Sequence, residues 1–444
     1  MMFNLKNKRI SILGAGKTGI AAAEKVRALY GIPFVSDSGD IEENALDWLK
    51  EHKIKFETGG HSDAVLECNL MILSPGVLPN SPVVTKAKSS GLTIWPEVEL
   101  ACRICNGKII GVTGSNGKTT TTALIGEILK NSGMPSFVCG NIGSPFIKVA
   151  DEIPANGYAV VELSSFQLET IDEFKADAAV ILNITPDHLD RHGDFERYAS
   201  AKLRIFENQG KDDFSIVNYD DNYLRNRCGN LISKTIWFSV ESKETAIHAE
   251  PGGKLYMDNI ELMNSNDIRL KGVHNLSNVC AAAAVAKSID ISNDIIIDTL
   301  KTFAGVEHRL EFVRLIGGVS FINDSKGTNV DSVFWALKAI STPVILIAGG
   351  RDKAGDFNQL NGQVKEKVKE VLLIGEAADK IETAWKHITE CKRANDMKEA
   401  VSMAFKDAGD GDTVLLSPGC ASFDMYKNFE ERGKDFKKAV LALN

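Results

Sequence analysis

No stretch of the 444-residue sequence is long and apolar enough to cross a bilayer. The opening residues, MMFNLKNKRISILGAG, enter a strand-like run without the basic and apolar regions of a secretory leader, so a cytoplasmic chain is expected. Basic residues are not in excess. With 51 Lys and Arg against 59 Asp and Glu, the net charge of −8 gives no ground for a nucleic-acid surface. Local phosphate sites stay open, since a few lysines and helix ends suffice for them. Eight cysteines in so long a chain do not make a disulfide framework. Cys102 and Cys105 form a lone CxxC with no second pair nearby, which points to free thiols on a helix or at its exit. Internal repeats, heptads and low-complexity tracts are also missing. What remains is an ordinary globular mixture, 44% hydrophobic and 25% charged, with material for about three domains.

Three segments each carry a glycine signature. Residues 9–29, RISILGAGKTGIAAAEKVRAL, read as strand, phosphate-type turn and helix, with Gly14, Gly16 and Gly19 in GxGxxG spacing. Asp37 follows at the place of a second-strand acid, so the local reading is a dinucleotide fold for a nicotinamide or flavin cofactor. A further strand, NLMILSPGV, ends in Ser74, Pro75 and Gly76, and the segment is expected to close near Pro96.

The second segment opens with KIIGVTGSNGKTTTTALIGEILKNSG. Its turn misses the glycine that the usual phosphate-loop pattern demands at Val112. That loss is harmless if Val112 still belongs to the strand, because only the turn around Gly114 and Gly117 must be small. Lys118 would then reach the β- and γ-phosphates, and Thr119 would offer its hydroxyl to Mg²⁺. YAVVELSSFQLE ends a strand at Glu162, and DAAVILNITPDHLDRH places His188 just past another, so both are expected to converge on the loop. A third α/β unit, with GVSFINDSKGTN, PVILIAGGRDKAG, KEVLLIGEAADKI and DTVLLSPGCASFDMY, follows a boundary near residue 303. The expected domains are therefore 1–96, 97–303 and 304–444, while 208–272 mixes short strands and turns with no clear placement.

Several residues admit two readings. Glu162 can bind Mg²⁺ or merely cap a strand. His188 can serve the site or only shape the turn in TPDHLDRH, where Asp190 and His192 are less distinctive. Lys202 shares an apolar helical stripe with Phe195, Tyr198, Ala199 and Phe206. It either snorkels its ammonium to solvent or points into a metal-rich site, where only carbamylation would make it a ligand. His308 and Arg309 either touch a nucleotide or pair at the surface, and Asp324 to Thr328, Arg351 to Lys353, Ser422 and Phe423 suit the rim of a small anionic substrate site.

Taken jointly, TGSNGKTT, ELSSFQLE, NITPDHLDRH with its following lysine, HNLSN, EHR, DSKGTN and SPGCASFD resemble the Mur ligase family of peptidoglycan synthesis, in order and over the whole length. The branch it most resembles adds D-glutamate to UDP-N-acetylmuramoyl-L-alanine. No arginine-bearing DNPR-type motif of the diaminopimelate- or lysine-adding branch is present. The resemblance implies three α/β domains: a Rossmann-like domain for the uridine nucleotide (not NAD), a central P-loop domain for ATP, and a C-terminal Rossmann-like domain that binds D-glutamate and closes on ATP. It also implies a bacterial, cytoplasmic, monomeric enzyme that makes an amide through an acyl phosphate and releases ADP and phosphate. Another UDP-muramoyl amino-acid ligase of the family is the alternative.

Residue by residue, the resemblance gives ATP to Gly114, Ser115, Asn116, Gly117, Lys118, Thr119, Thr120, Asn275, Asn278, His308, Arg309 and Asp324. It gives the uridine substrate to Ala15, Gly16, Lys17, Thr18, Asp37, Ser38, Ser74, Pro75, Gly76, Asn141 and His188. D-glutamate falls to Lys326, Thr328, Lys353, Ser422, Phe423 and Phe429. Two Mg²⁺ ions are implied, one near Thr119 and Glu162, the other near His188 and carbamylated Lys202. Lys118, Asn141, Glu162, His188 and Lys202 form the implied catalytic set, and Lys17, a charged variant at its turn, either adds a phosphate contact or faces solvent.

Overall fold

The computed structural model describes residues 4–340, 342–352 and 355–443, without the side chains of Asp190 and His274. Three sheets follow one another along the chain. The first contains β1 (Arg9–Leu13), β2 (Ile32–Ser36), β3 (Lys55–Glu57), β4 (Leu70–Leu73) and β5 (Ile94–Pro96), in the order β3-β2-β1-β4-β5. All its pairings are parallel. The chain moves outward from β1 to β3, then returns to the other side of β1. That reversal opens a crevice between the ends of β1 and β4, where ligands of such sheets bind.

The second sheet contains β6 (Lys108–Thr113), β7 (Ser136–Gly140), β8 (Tyr158–Glu162), β9 (Ala178–Ile181), β10 (Phe214–Asn218), β11 (Lys234–Ser239), β12 (Ile247–Ala249), β13 (Lys254–Met257) and β14 (Ile260–Asn264). Their order is β14-β13-β12-β11-β10-β9-β6-β8-β7. Stretch 208–272, which the sequence leaves unordered, thus extends this sheet by five strands, with β13 antiparallel to both β12 and β14. β8 and β9 are buried along their whole lengths, which is why they read as continuous apolar runs rather than alternating ones. They flank β6 and bring three strand ends side by side.

The third sheet contains β15 (Glu311–Ile316), β16 (Val319–Asn323), β17 (Val344–Gly349), β18 (Val368–Ile374), β19 (Glu390–Arg393) and β20 (Thr413–Leu416), in the order β15-β16-β20-β17-β18-β19. Only β15 runs antiparallel to its neighbour.

The chain divides into two compact units, Met1–Arg269 with Leu276–Phe303, and Leu270–Asn275 with Ala304–Asn444. In the first unit one continuous apolar core joins both sheets, from Ile10, Ile12 and Val35 through Val98 and Phe146 to Val161 and Ile181. In the second, Leu346, Leu373 and Trp385 belong to one core cluster and Phe321, Ile347 and Phe436 to another. All eight cysteines are free thiols, Cys102 on the helix Glu97–Ile104 and Cys105 at its end. No helix of the described residues is long and apolar enough to cross a membrane.

Candidate active site

Val112 lies in β6 and is fully buried, so the turn begins only at Gly114. Gly117 holds φ at +84° directly before the helix Lys118–Asn131, and a Cβ there would come within 2.3 Å of Asn278 Oδ1. Only glycine satisfies both demands. The loop is tied down from β9: Asn183 O accepts from Ser115 N at 2.9 Å, and Asn183 Oδ1 accepts from Asn116 N at 2.8 Å. Ser115 Oγ lies 2.9 Å from both Thr185 O and Tyr198 Oη. Asn183 has a strand-end position in NITPDH as its only sequence signal, and sequence reasoning missed it.

Lys118 folds back over the loop, donating to Gly114 O and Ser115 O at 2.8 Å each. Lys202 donates to the same Gly114 O, also at 2.8 Å. It sits on the helix Phe195–Leu203 and is 2% exposed, so its ammonium does not snorkel to solvent. Burial first, then the Lys118 cation, hold the Lys202 amine well below the ordinary lysine range, against the opposing pull of Asp187 and Glu162. Glu162, at the end of β8 and 1% exposed, accepts from Asn141 Nδ2 at 2.9 Å. The structure therefore brings Lys118, Lys202, Glu162 and Asn141 to neighbouring strand ends.

His188, at φ +52°, starts the short helix Leu189–His192 and packs edge-on against Phe166, half-buried, with Asp187 3.8 Å away. His192 has a structural role: its two ring nitrogens face Ser165 Oγ at 3.0 Å and Glu169 at 3.1 Å. Buried oxygen donors at Thr119 and Glu162 fit a hard divalent cation. Lys202 as an ammonium does not; as a carbamate it would. A separate set, Glu307, His308 and Glu311, also gathers potential ligands, but Lys437 Nζ lies 2.9 Å from Glu307 and 2.5 Å from Glu311 and takes the cation's place.

Beside the first sheet lies a cleft of about 960 Å³, lined by Gly14, Gly16, Lys17, Thr18, Asp37, Ser38, Ser74, Pro75, Gly76 and Asn141 among others. A Cβ on Gly19 would come 1.8 Å from Gly14 O, so the β1 turn and the following helix require glycine there. Asp37 carboxylate oxygens accept from Ala15 N at 2.6 Å and Gly39 N at 2.9 Å, and Ala15 itself is buried behind the wall. Lys17 is exposed at the cleft, and its ammonium donates to Gly143 O, in the loop after β7, at 2.6 Å. Arg191, another residue missed in sequence, donates to Pro75 O at 2.6 Å and Val77 O at 3.0 Å and lies over the Phe166 ring. It links the cleft wall to the His188 turn.

In the second unit, Asp324 follows β16 and accepts from Ser417 Oγ at 2.8 Å. The His308 Nε2 and Arg309 Nε atoms are buried with no hydrogen-bond partner among the described residues, and Glu307 Oε1 lies 3.8 Å from His308 Nε2. Lys326 Nζ lies 5.4 Å from the centre of the Phe429 ring, Ser422 is buried, and Phe423 is exposed. Thr328 is half-buried, and Lys353 lies outside the described residues. Arg351 pairs with Glu376 at 2.9 Å on the surface, so it belongs to the rim. Asn275, buried, donates to Lys271 O at 2.8 Å; Asn278 is buried at the Gly117 turn of the first unit. Arg432, unsignalled in sequence, is 1% exposed and joins two loops of this unit through Ser325 and Cys420.

Burial raises the Asp324 carboxyl to about 6, against the pull of Arg309 and Ser417. An unfolded aspartate ionises near ~3.9. Between those values the folded chain keeps a proton that the unfolded chain has lost. Stability therefore falls as pH rises through that window and stays reduced above it. Asp324→Asn is expected to raise the melting temperature above the window and leave it unchanged below. Identical melting of the two proteins in mildly alkaline buffer would refute this.

Residues 9–83 match the MurD N-terminal domain, residues 112–286 the Mur ligase middle domain, and residues 308–420 the Mur ligase glutamate ligase domain. The UDP-N-acetylmuramoylalanine–D-glutamate ligase of Caldanaerobacter subterraneus subsp. tengcongensis is 44% identical over 448 residues, which cover 99% of each chain. That of Clostridioides difficile is 43% identical over 453 residues, 98% of this chain and 99% of its own. The solved structure of UDP-N-acetylmuramate–alanine ligase MurC from Thermotoga maritima shares the fold, with a TM-score of 0.64 over 98% of this chain and 100% of its own at 19% identity. With three successive domain matches and full-length relatives above 40% identity, the chain belongs to the Mur ligase family.

Proposed function

We propose that this chain is an ATP-dependent amide ligase that joins D-glutamate to UDP-N-acetylmuramoyl-L-alanine and releases ADP and phosphate. The observation that carries the reading is the convergence of the phosphate loop, Lys118, buried Lys202 and the Asn141–Glu162 pair at adjacent strand ends, beside a cleft whose wall includes Asn141. The choice of amino acid and of muramoyl substrate follows the activity named for the full-length relatives. Three working parts are proposed, 1–96 for the uridine nucleotide, 97–303 for ATP and 304–444 for D-glutamate, in a cytoplasmic monomer.

In the proposed reaction the terminal carboxylate of the muramoyl substrate attacks the γ-phosphate of ATP, forming an acyl phosphate. The amine of D-glutamate then attacks the acyl carbon, and phosphate leaves from the tetrahedral intermediate. Lys118 exchanges its loop carbonyls for phosphoryl oxygens and offsets the charge that grows there. Backbone N–H groups of the loop and the start of the helix Lys118–Asn131 hold the phosphates. Asn141 orients Glu162, and Thr119, Glu162, His188 and carbamylated Lys202 are the residues that would hold Mg²⁺. When bound, Mg²⁺ would neutralise phosphate charge and polarise the γ-phosphoryl group. Asn275, Asn278, His308, Arg309 and Asp324 are the proposed further contacts to ATP, and Lys326, Thr328, Lys353, Ser422, Phe423 and Phe429 those to D-glutamate.

The test is phosphate release from ATP with UDP-N-acetylmuramoyl-L-alanine, offered D-glutamate, L-glutamate, L-alanine or diaminopimelate in turn. Turnover is expected with D-glutamate alone. Turnover with a different amine in its place would reassign the chain to another branch of the family.

A further inference from the structure

One buried acid lies outside every motif, close behind the strand ends of the second sheet. Glu97 follows β5, opens the helix Glu97–Ile104 and is 1% exposed. Its Oε2 accepts from Ile147 N at 3.1 Å, and its Oε1 accepts from Gln167 Nε2 at 3.2 Å. Burial raises this carboxyl to about 7, and only those two bonds oppose the rise; among the described residues no cation does. An acid held in the interior without a cation lowers stability. Its two partners show why an amide cannot stand in for it.

Ile147 N carries a hydrogen and can only donate. Gln167 has no choice of orientation either. Its Oε1 accepts from Ser164 N and from Ser164 Oγ, each at 2.9 Å, and a backbone N–H must meet an acceptor. Its Nε2 is therefore the end that faces Glu97. The acid thus stands between two obligate donors, and only a carboxylate offers an acceptor to both. A glutamine in its place would set a donor against a donor at one end, whichever way its amide turned.

Those two donors flank the Asn141–Glu162 pair. Ile147 belongs to the short helix Phe146–Val149, which follows the loop 141–145. Ser164 stands two residues past Glu162 and opens the helix Ser165–Leu168 in a capping box with Gln167. Between these points Asn141 N donates to Glu162 O and Asn141 Nδ2 to Glu162 Oε1, both at 2.9 Å. One carboxylate at the end of the first sheet so clamps the two segments of the second that carry this pair.

We propose that Glu97 is a positioning residue for phosphoryl transfer, whose carboxylate holds the Asn141 loop and the Ser164 cap so that Asn141 keeps its bond to Glu162. This rests on the reading of these strand ends as the ligase site. Phosphate release is measured with ATP, UDP-N-acetylmuramoyl-L-alanine and D-glutamate in mildly alkaline buffer, where Glu97 is ionised. Glu97→Gln is expected to lower kcat at least about tenfold, with KM for D-glutamate within about twofold of the wild type. Combining Glu97→Gln with Gln167→Glu rebuilds every bond. The new amide oxygen takes Ile147 N, its NH₂ meets the new carboxylate, and the other carboxylate oxygen keeps both Ser164 donors. The combined variant should recover most of kcat, whereas Gln167→Glu alone, which sets two carboxylates face to face, should not. A purely structural acid would lower the melting temperature and leave kcat of the folded protein unchanged. That result, or a combined variant that regains the wild-type melting temperature without its turnover, overturns the proposal. Failure of Glu97→Gln to fold marks a purely structural acid and overturns it too. If the wild type itself releases no phosphate with these substrates, the reading of the ligase site fails, and the proposal with it.

Discussion

Replacing Lys202 with alanine is expected to lower ligase turnover by about 10²–10³-fold, with partial recovery when short carboxylates are added. The reason lies in the two lysines on one carbonyl. Lys118 and Lys202 both donate to Gly114 O, so as ammonium groups they repel each other across a buried site. Burial leaves Lys202 readily neutral, and a neutral amine can add to CO₂, losing a proton to give a carbamate. As a carbamate, Lys202 would reverse the sign of the charge beside Lys118, turn repulsion into attraction and put an oxygen ligand where a cation was. Turnover of the wild type should therefore fall in CO₂-depleted buffer and return with bicarbonate, whereas the alanine variant should not respond to bicarbonate. Full activity of the variant would remove Lys202 from the chemistry altogether.

The largest loss of stability is expected from Arg432→Met. The guanidinium donates to Ser325 Oγ at 3.0 Å, to Ser325 O at 2.8 Å and to Cys420 O at 3.1 Å. It thereby fastens the loop after β16 to the loop after β20, from the helix Phe429–Leu441. Methionine fills similar space but leaves three buried acceptors without their donors. Burial itself opposes the charged form, pulling the Arg432 value down to about 10, so part of the gain is already offset. A net cost of about 3 kcal/mol is expected. It would appear as a lower denaturant midpoint with an unchanged slope. Arg432→Lys should not restore the midpoint, because one ammonium cannot span both loops as the planar fork does. A variant as stable as the wild type would show that the loops hold without the clamp. The two loops carry Lys326 and Ser422, so a rise in KM for D-glutamate should accompany the loss.

These two residues also mark the limits of reading the sequence. The phosphate loop was legible because its chemistry demands fixed residue types at fixed spacing, and Val112 was recognisable as strand from its neighbours. Lys202 was legible as an anomaly, a lysine on an apolar stripe. Its choice between solvent and site depends on what covers that stripe, and covering is a tertiary fact. Arg432 gave no signal, since beside the Ser325 hydroxyl its partners are backbone carbonyls, more than a hundred residues away for Ser325 and twelve for Cys420. A carbonyl leaves no trace in residue identity. The same holds for Arg191 and Lys17, which bond to Pro75 O, Val77 O and Gly143 O. The strands β10 to β14 were hard to order because several are short and β13 runs against both its neighbours, so neither length nor period announces them.

The bonds from Lys17 and Arg191 bear on how this chain can be dissected. A fragment ending at Pro96 would keep the whole glycine fingerprint yet lose Asn141 from the cleft wall, the carbonyl that anchors Lys17, and the guanidinium that holds Pro75 and Val77. It would also split an apolar core that runs through both sheets, removing Val98 and Ala101 and exposing the residues packed against them. Small molecules screened against such a fragment would meet a different cavity from the one in the intact chain. A fragment running to Phe303 retains every one of these contacts, and it is the smaller piece on which a cleft ligand can be sought with its full set of neighbours.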